Sequence, residues 1–185
     1  VWETGQNVSH QLVPTPDGEV LYVANIGSGS VTVIDRGDNS VVSIPTGAGA
    51  EGIDASPDGR EIWVTNRAAD TVSIIDTASD TVIADINSGG AFPIRARFTP
   101  DGNEVYVANA KSGDVAVFDA ATRELLTTID VGAVPIGIVM SADGARAFIA
   151  NTADDFVTVI DTATREVIQR IETGDEPDGM AWAVE

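Results

Sequence analysis

Apolar and polar residues alternate along most of this chain in runs of four to seven residues, rich in Val, Ile, Thr and aromatic side chains. Such alternation is typical of β-strands, whose successive side chains point to opposite faces. No window carries apolar residues at helical spacing over three turns. The pattern therefore predicts an all-β protein.

One strand pattern occurs four times: an aromatic residue, an aliphatic residue, a small or hydroxylated residue, and asparagine. The four asparagines are Asn25, Asn66, Asn109 and Asn151, and they lie 41, 43 and 42 residues apart. A period near 42 residues is typical of one supersecondary unit stacked on copies of itself.

Each unit carries further marks at fixed offsets. A Pro-Asp-Gly turn precedes the asparagine strand in three units, and the fourth has Ala142-Asp143-Gly144. Ten residues after each asparagine another strand ends in aspartate: Asp35, Asp76, Asp119 and Asp161. A β-branched strand and a glycine-containing turn follow. We predict four antiparallel strands per unit, A to D, which matches the blades of a β-propeller.

The tetrads, with the preceding Pro-Asp-Gly turn and the following Ile-Asp-Thr at 75–77 and 160–162, resemble the YVTN-type β-propeller repeat. The resemblance covers essentially the whole chain, although Trp63 and Phe148 replace Tyr and Ala142 replaces Pro. It implies a propeller with seven blades in the complete ring. It also implies an extracellular, cell-surface or periplasmic protein, because surface-layer and periplasmic proteins are similar to this family.

The period divides the chain into blades at about 6–47, 48–89, 90–132 and 133–174. Residues 1–5 read like the end of a strand D, and residues 175–185 read like a further strand A. About four and a half blades are then present. We expect the chain, which starts at Val1 without Met, to be part of a larger ring, or to complete a ring with another chain.

Composition narrows the partners. Acidic residues outnumber basic ones 29 to 10, and the formal charge is −19. Such a surface repels polyanions, so we expect neither nucleic acid nor an anionic membrane as partner. It fits adaptation to high salt or to a calcium-rich exterior, and it equally fits plain solubility. No cysteine is present, which excludes disulfides, and no apolar stretch approaches the roughly 18 residues of a membrane span.

The candidate site comes from places where strand A departs from the repeat. Strand A lines the channel of a propeller. At several of its positions most repeats carry an apolar residue or glycine, and one or two repeats carry a polar residue instead. The predicted ligand-binding residues at the channel mouth are His10, Gln11, Glu51, Asp54, Arg95, Arg97 and Asp178. The alternative interpretation is structural, since a buried arginine needs a partner and Arg95 and Arg97 could pair with Asp54 or Glu51 of neighbouring blades.

Catalytic patterns are missing from the sequence. It contains no Gly-x-Ser-x-Gly elbow, His-Glu-x-x-His motif, P-loop or Gly-x-Gly-x-x-Gly fingerprint. One histidine and no cysteine nearly exclude a catalytic triad or a zinc site, since both depend on these residue types. We therefore predict no catalytic or metal-binding residue and no required cofactor. The repeated Asn and Asp residues are interpreted as structural, because they occur in every blade.

Three functions follow as expectations. The leading one is a non-enzymatic binding scaffold that takes a protein or small-molecule ligand at one propeller face. The first alternative is a propeller associated with a quinoprotein or haem enzyme, with a ligand at the channel mouth. The second alternative is a hydrolase similar to propeller lactonases, in which Glu51 and Asp54 would act with a metal ion.

Overall fold

The computed structural model describes residues 1–182, which contain sixteen strands in four separate antiparallel sheets. Each sheet has four strands, and strands consecutive in sequence are hydrogen-bonded neighbours. Blade 1 comprises β1 (Ser9–Pro14), β2 (Val20–Asn25), β3 (Ser30–Asp35) and β4 (Val41–Pro45). Blade 2 comprises β5 (Ala50–Ala55), β6 (Glu61–Asn66), β7 (Thr71–Asp76) and β8 (Thr81–Asn87).

The other two blades repeat this arrangement. Blade 3 comprises β9 (Pro93–Phe98), β10 (Glu104–Asn109), β11 (Asp114–Asp119) and β12 (Leu125–Asp130). Blade 4 comprises β13 (Pro135–Met140), β14 (Arg146–Asn151), β15 (Phe156–Asp161) and β16 (Glu166–Glu172). The predicted all-β fold of four-stranded antiparallel blades is confirmed, and the sheets form a partial propeller. Among the described residues no helix has the length and apolar character needed to cross a membrane.

The A strands lie at the centre of the arc. Strand β1 contacts β5, β5 contacts β9, and β9 contacts β13. The middle strands β6 and β7 are almost wholly buried because neighbouring blades cover both faces of their sheet, which explains their near-continuous apolar runs. The outermost strand of each blade is more exposed, and β16 is exposed along its whole length.

The hydrophobic core consists of three clusters, one between each pair of adjacent blades. The cluster between blades 2 and 3 contains Trp63, Phe98 and Phe118. The other two clusters contain the equivalent aromatic residues Tyr22 and Tyr106. Because each blade buries its face against the next, the aromatic position of the repeat is a packing position between blades.

The repeated polar residues are hydrogen-bonded to their own blade or to the preceding one. Asp58 accepts hydrogen bonds from the Ser56 hydroxyl and the Arg60 N–H, which hold the pKa of Asp58 below its ordinary value. Asp76 likewise accepts from the backbone N–H of Ser79. The asparagines make different contacts: Asn66 accepts from the backbone N–H of Gly47 and also donates to two hydroxyls of the neighbouring strand C. Both residue types stabilise the blade itself.

The two ends of the chain lie outside the sixteen strands. Residues 1–5 and 175–182 form no strand, and residues 183–185 lie outside the described part of the chain. The interpretation of 1–5 as a strand D and 175–185 as a strand A stays a prediction. A strand needs a hydrogen-bonded neighbour, and neither segment pairs with one within the described residues.

Candidate functional site

The A strands begin and the B strands end at the same side of the arc, which we call the upper mouth. The antiparallel register requires this arrangement: Ala50 of β5 lies opposite Asn66 of β6, and Pro93 of β9 lies opposite Asn109 of β10. Residues that begin an A strand and residues that follow a B strand therefore meet at this mouth. The A–B turns lie at the opposite side, the lower mouth.

Asp54 and Arg97 form an ion pair between blades 2 and 3, at equivalent positions of β5 and β9. The Arg97 Nη1 lies 3.2 Å from Asp54 Oδ1, and the Phe98 N–H donates to Asp54 Oδ2 at 2.8 Å. Asp54 is only 7% exposed. Burial raises the pKa of Asp54, while the Arg97 charge and the Phe98 N–H oppose that rise. The inter-blade pairing that the sequence left open is thus present for Arg97.

The Arg97→Met variant is expected to lose more stability at pH 7 than at pH 4. A carboxyl whose pKa is higher in the folded state binds more protons when folded, so its contribution to stability falls as pH rises through that pKa. Removing Arg97 raises the pKa of Asp54 further. We expect a loss of about 2 kcal/mol at pH 7 and clearly less at pH 4, measured by urea unfolding.

Arg60→Met is the matched control for this pH dependence. Arg60 lies 3.7 Å from Asp58 at the exposed lower mouth, where an ion pair contributes little. Its loss should be small and similar at both pH values. An Arg97→Met loss that is equal at pH 4 and pH 7 would show that Asp54 does not depend on Arg97 for its charge.

Arg95 points from the same strand toward blade 4. Its Nε donates to the Ile136 carbonyl at 3.0 Å, and its Nη2 lies 4.0 Å from Asp178 Oδ1. Asp178 is largely exposed, so this contact is weak. Burial lowers the pKa of Arg95, and Asp178 opposes that shift. Among residues 1–182, no carboxylate pairs with Arg95 more closely.

Glu51 pairs with a residue that the sequence reasoning missed. Its Oε2 lies 2.8 Å from Nη1 of Arg67, which follows β6 directly. Arg67 also lies over the ring of Phe92, with Cζ 5.3 Å from the ring centroid, and the Lys111 Nζ lies 4.4 Å from the same centroid. The backbone N–H of Phe92 donates to Asp70 at 2.7 Å, which holds the aromatic residue between the two cations.

A sequence signal for these missed residues exists. Arg67 and Lys111 follow the asparagines of their units by one and two residues, where the other units carry uncharged residues. Lys111 is also the only lysine of the chain. Both residues lie in loops after strand B, outside the strand A positions from which the candidate site was predicted.

The cations of this acidic chain are unevenly placed. Three of the ten basic residues lie at or just inside the upper mouth: Arg67, Arg95 and Lys111. Arg97 lies further along β9, toward the lower mouth. The rest of the chain carries most of the 29 acidic residues. Positive groups gathered at one mouth favour the approach of a small anion there.

The structure separates two of the predicted residues from this cluster. His10 is exposed and Gln11 is half-buried on β1 of blade 1. Strand β5 lies between β1 and β9. Glu51, Asp54, Arg95 and Arg97 thus come together between blades 2 and 3 with Asp178 beside Arg95, whereas His10 and Gln11 lie on the far side of β5. Within residues 1–182 no three acidic or histidine side chains are arranged to hold a metal ion.

Two family models match the sequence. The model of the cytochrome D1 heme domain matches residues 61–183, and that of the YNCE-like β-propeller matches residues 2–94. Each match spans at least half of the chain, and both models describe propellers. They support the predicted propeller family without singling out the YVTN repeat. No sequence among the curated proteins matches the chain significantly.

Solved structures show the same fold. The chain is similar to Kuenenia stuttgartiensis hydrazine synthase at 25% identity and a TM-score of 0.84, over 92% of this chain and 50% of that one. It is also similar to a functionally unknown protein from Desulfotomaculum acetoxidans at 15% identity and a TM-score of 0.79, over 94% and 61% of the two chains. This chain therefore spans half to three fifths of the length of these two structures.

Proposed function

Because this chain belongs to the β-propeller proteins that the cytochrome D1 heme domain and YNCE-like families represent, we propose that it is a non-enzymatic binding module. Its upper mouth takes a small anion with two or more carboxylate or phosphate groups. Its location is the cell surface, the periplasm or the extracellular space, as for proteins that carry similar YVTN-type repeats. The acidic exterior is compatible with that location.

The observation that carries this proposal is the gathering of three cations at one mouth of a chain with a formal charge of −19, with Arg97 further inside on the same strand as Arg95. Arg95 and Arg97 lie two residues apart on β9, so their side chains leave the same face of the strand. Guanidinium groups bind carboxylates and phosphates through two parallel N–H donors. Arg67 and Lys111 lie at the rim on either side of Phe92.

The carboxylates of the site set the strength of binding. Glu51 and Asp54 already pair with Arg67 and Arg97. A ligand competes with them for these guanidinium groups, whereas the carboxylate contact of Arg95 within residues 1–182 is the weak one with exposed Asp178. We therefore expect modest affinity, with a Kd on the order of 0.1 mM, equivalent to about 5 kcal/mol.

Citrate and inorganic phosphate are the probes for this proposal. Titration of the chain by calorimetry at about 50 mM salt should show saturable binding of citrate, with weaker binding of phosphate. The Arg67→Gln/Lys111→Gln double variant should weaken citrate binding about tenfold, or about 1.4 kcal/mol. It removes two rim charges without touching the buried pair of Asp54 and Arg97.

The matched control is Arg36→Gln/Arg60→Gln, which removes the same charge at the lower mouth. Its citrate affinity should remain within about twofold of the parent, because exposed charges that far away are screened. Equal weakening by both double variants would mean that citrate senses only overall charge. Absence of citrate binding at about 10 mM would refute the anion site.

A propeller associated with haem is the second candidate, and the match of residues 61–183 to the cytochrome D1 heme domain supports it. The arginines of the mouth suit the carboxylates of a haem. Haem iron also needs an axial ligand such as histidine or methionine. His10 lies in blade 1 beyond β5, Met140 is buried in the core, and Met180 lines an apolar groove on blade 4. The described residues therefore do not fit a haem iron site.

Hemin absorbance distinguishes the two candidates. If this chain bound haem iron, its addition to hemin would shift the haem absorption band, and the shift would be lost in His10→Ala, which removes the only histidine. We expect no shift that depends on His10. Hemin binding that citrate displaces and His10→Ala leaves intact would instead assign the haem carboxylates to the anion site.

A further inference from the structure

The outer face of blade 4 carries an apolar groove of about 280 Å³ that the described residues leave open. It is lined by Val139, Phe148, Val157, Ile171, Met180 and Trp182, among others. The equivalent faces of the first three blades are covered by the next blade. Those three interfaces between blades are therefore the reference with which the open groove on blade 4 is compared.

Residues near the end of the chain already reproduce part of such an interface. Between blades 2 and 3, Phe98 packs edge-on against Trp63, with ring centroids 5.9 Å apart. On blade 4, Trp182 packs edge-on against Phe148 with centroids 5.4 Å apart. Trp182 and Phe98 hold the same repeat position, as do Phe148 and Trp63. Trp182 therefore lies where strand A of a following blade belongs.

A glycine contact supports the same placement. A Cβ added to Gly52 would lie 2.6 Å from the Ile94 carbonyl oxygen of the next strand A. The equivalent Gly137 of blade 4 faces the Asp178 carbonyl oxygen, which would also collide with a Cβ. The Thr152 hydroxyl further donates to the Pro177 carbonyl at 2.8 Å. The backbone near residue 178 thus takes the path of a following strand A.

The second half of the interface is unfilled. Phe118 of strand C packs on Trp63 from blade 3, with centroids 6.1 Å apart. Among residues 1–182, no strand C side chain takes the equivalent position on Phe148, and this is where the groove lies. Trp182 consequently remains 54% exposed.

A polar contact at the rim of each interface indicates the charge of the missing neighbour. Glu61, the first residue of β6, pairs with Arg123 in the C–D turn of blade 3 at 2.9 Å. Glu104 and Arg165 form the same pair between blades 3 and 4. Between blades 1 and 2, the equivalent turn residue Asp80 accepts from the Tyr22 hydroxyl at 2.8 Å.

Blade 4 reverses this charge. Arg146 is the first residue of β14 and holds the position of Glu61 and Glu104. It is exposed and forms no inter-blade ion pair within the described residues. A neighbour whose turn carried arginine, as blades 3 and 4 do, would place two cations together. A neighbour with a carboxylate at that turn position would pair with Arg146.

We infer that the open face of blade 4 binds a further blade of the same repeat, whose strand C fills the groove beside Trp182 and whose C–D turn presents a carboxylate to Arg146. Blade 1 of a second copy is not the occupant, because its β1 would need the place that residues 178–182 already hold. The two similar structures are also longer than this chain, which covers 50% and 61% of them.

The test extends the full chain after Glu185 with a copy of residues 59–89. This copy contains strands B, C and D of blade 2 and places a second Asp80 at the turn position that faces Arg146. We expect the thermal midpoint to rise by about 4 °C. The fluorescence of Trp182 should shift to shorter wavelength because the added strands cover it. Trp2→Phe and Trp63→Phe, the latter also in the appended copy, isolate this signal in both the parent and the extended chain.

The matched variant carries Asp80→Arg in the appended copy alone. It should lose most of the rise, and combining it with Arg146→Glu in the parent chain should restore the rise. An extension that leaves the midpoint and the Trp182 emission unchanged would overturn the inference, as would equal effects of the appended copies with and without Asp80→Arg. A dimer of the unextended chain that Trp182→Asp abolishes would assign the face to a second copy and likewise overturn it.

Discussion

Replacing Trp63 with alanine is expected to lower the free energy of unfolding by about 3–5 kcal/mol, the range measured for large-to-small changes in well-packed cores. Trp63 is fully buried between blades 2 and 3. Its ring contacts Phe98 and Phe118, and its Nε1 donates to Glu61 at 3.0 Å. Truncation would leave a cavity that strands fixed in two separate sheets cannot close.

Urea unfolding followed by far-ultraviolet circular dichroism measures this loss. Phe148→Ala is the matched control, because Phe148 holds the same repeat position on the open face of blade 4. We expect about half the loss there, since Phe148 is only half-buried and a groove already lies beside it. If Phe148→Ala cost as much as Trp63→Ala, the open face of blade 4 would have to be covered in solution.

Replacing Asn66 with alanine is expected to cost about 3 kcal/mol, at roughly 1 kcal/mol for each of three hydrogen bonds. Asn66 is fully buried. Its Nδ2 donates to the hydroxyls of Thr71 and Ser73 at 3.1 and 2.8 Å, and its Oδ1 accepts from the Gly47 N–H of the preceding blade at 3.0 Å. Alanine would leave that N–H without its partner.

Asn151→Ala tests whether the loss in free energy of unfolding depends on these hydrogen bonds or only on the replacement of a buried asparagine. Asn151 is equally buried and occupies the same repeat position, but its Oδ1 has no hydrogen-bond partner among the described residues. Its strongest contact is the donation to the Thr158 hydroxyl at 2.9 Å. We expect a loss of about 1–2 kcal/mol. Equal losses in the two variants would contradict the role of Gly47, and thermal or urea unfolding decides the question.

The blades could be predicted because their signals are local. Alternation of apolar residues defines a strand from its own few residues, and the turn residues act within their own turn. Asp58 with Ser56 is an example, since the two side chains lie two residues apart and hydrogen-bond each other. The 42-residue repeat strengthens the prediction, because the same order of strands and turns is indicated independently in four units.

The site was predictable only in part. The columns of strand A brought out Asp54 and Arg97, which occupy equivalent positions in adjacent blades and do pair. They also offered Glu51 as a partner for Arg95 or Arg97, whereas Glu51 pairs with Arg67. Loops after strand B decide that choice, and their conformations depend on contacts such as that of Asp70 with the Phe92 N–H. Comparing equivalent strand A positions between repeats gives no information on those loop contacts.

By itself, the sequence determined the strand order within each blade, the period of the repeat and the residues that face other blades. These properties depend on near neighbours along the chain, so four copies of one pattern suffice for them. Only the tertiary structure decided that Arg67 and Lys111 lie over Phe92 at the mouth where Glu51 pairs with Arg67, and that Arg146 forms no ion pair within the described residues where Glu61 and Glu104 find partners. Both results depend on distances between residues of different blades, far apart in sequence, which close packing sets and local pattern does not.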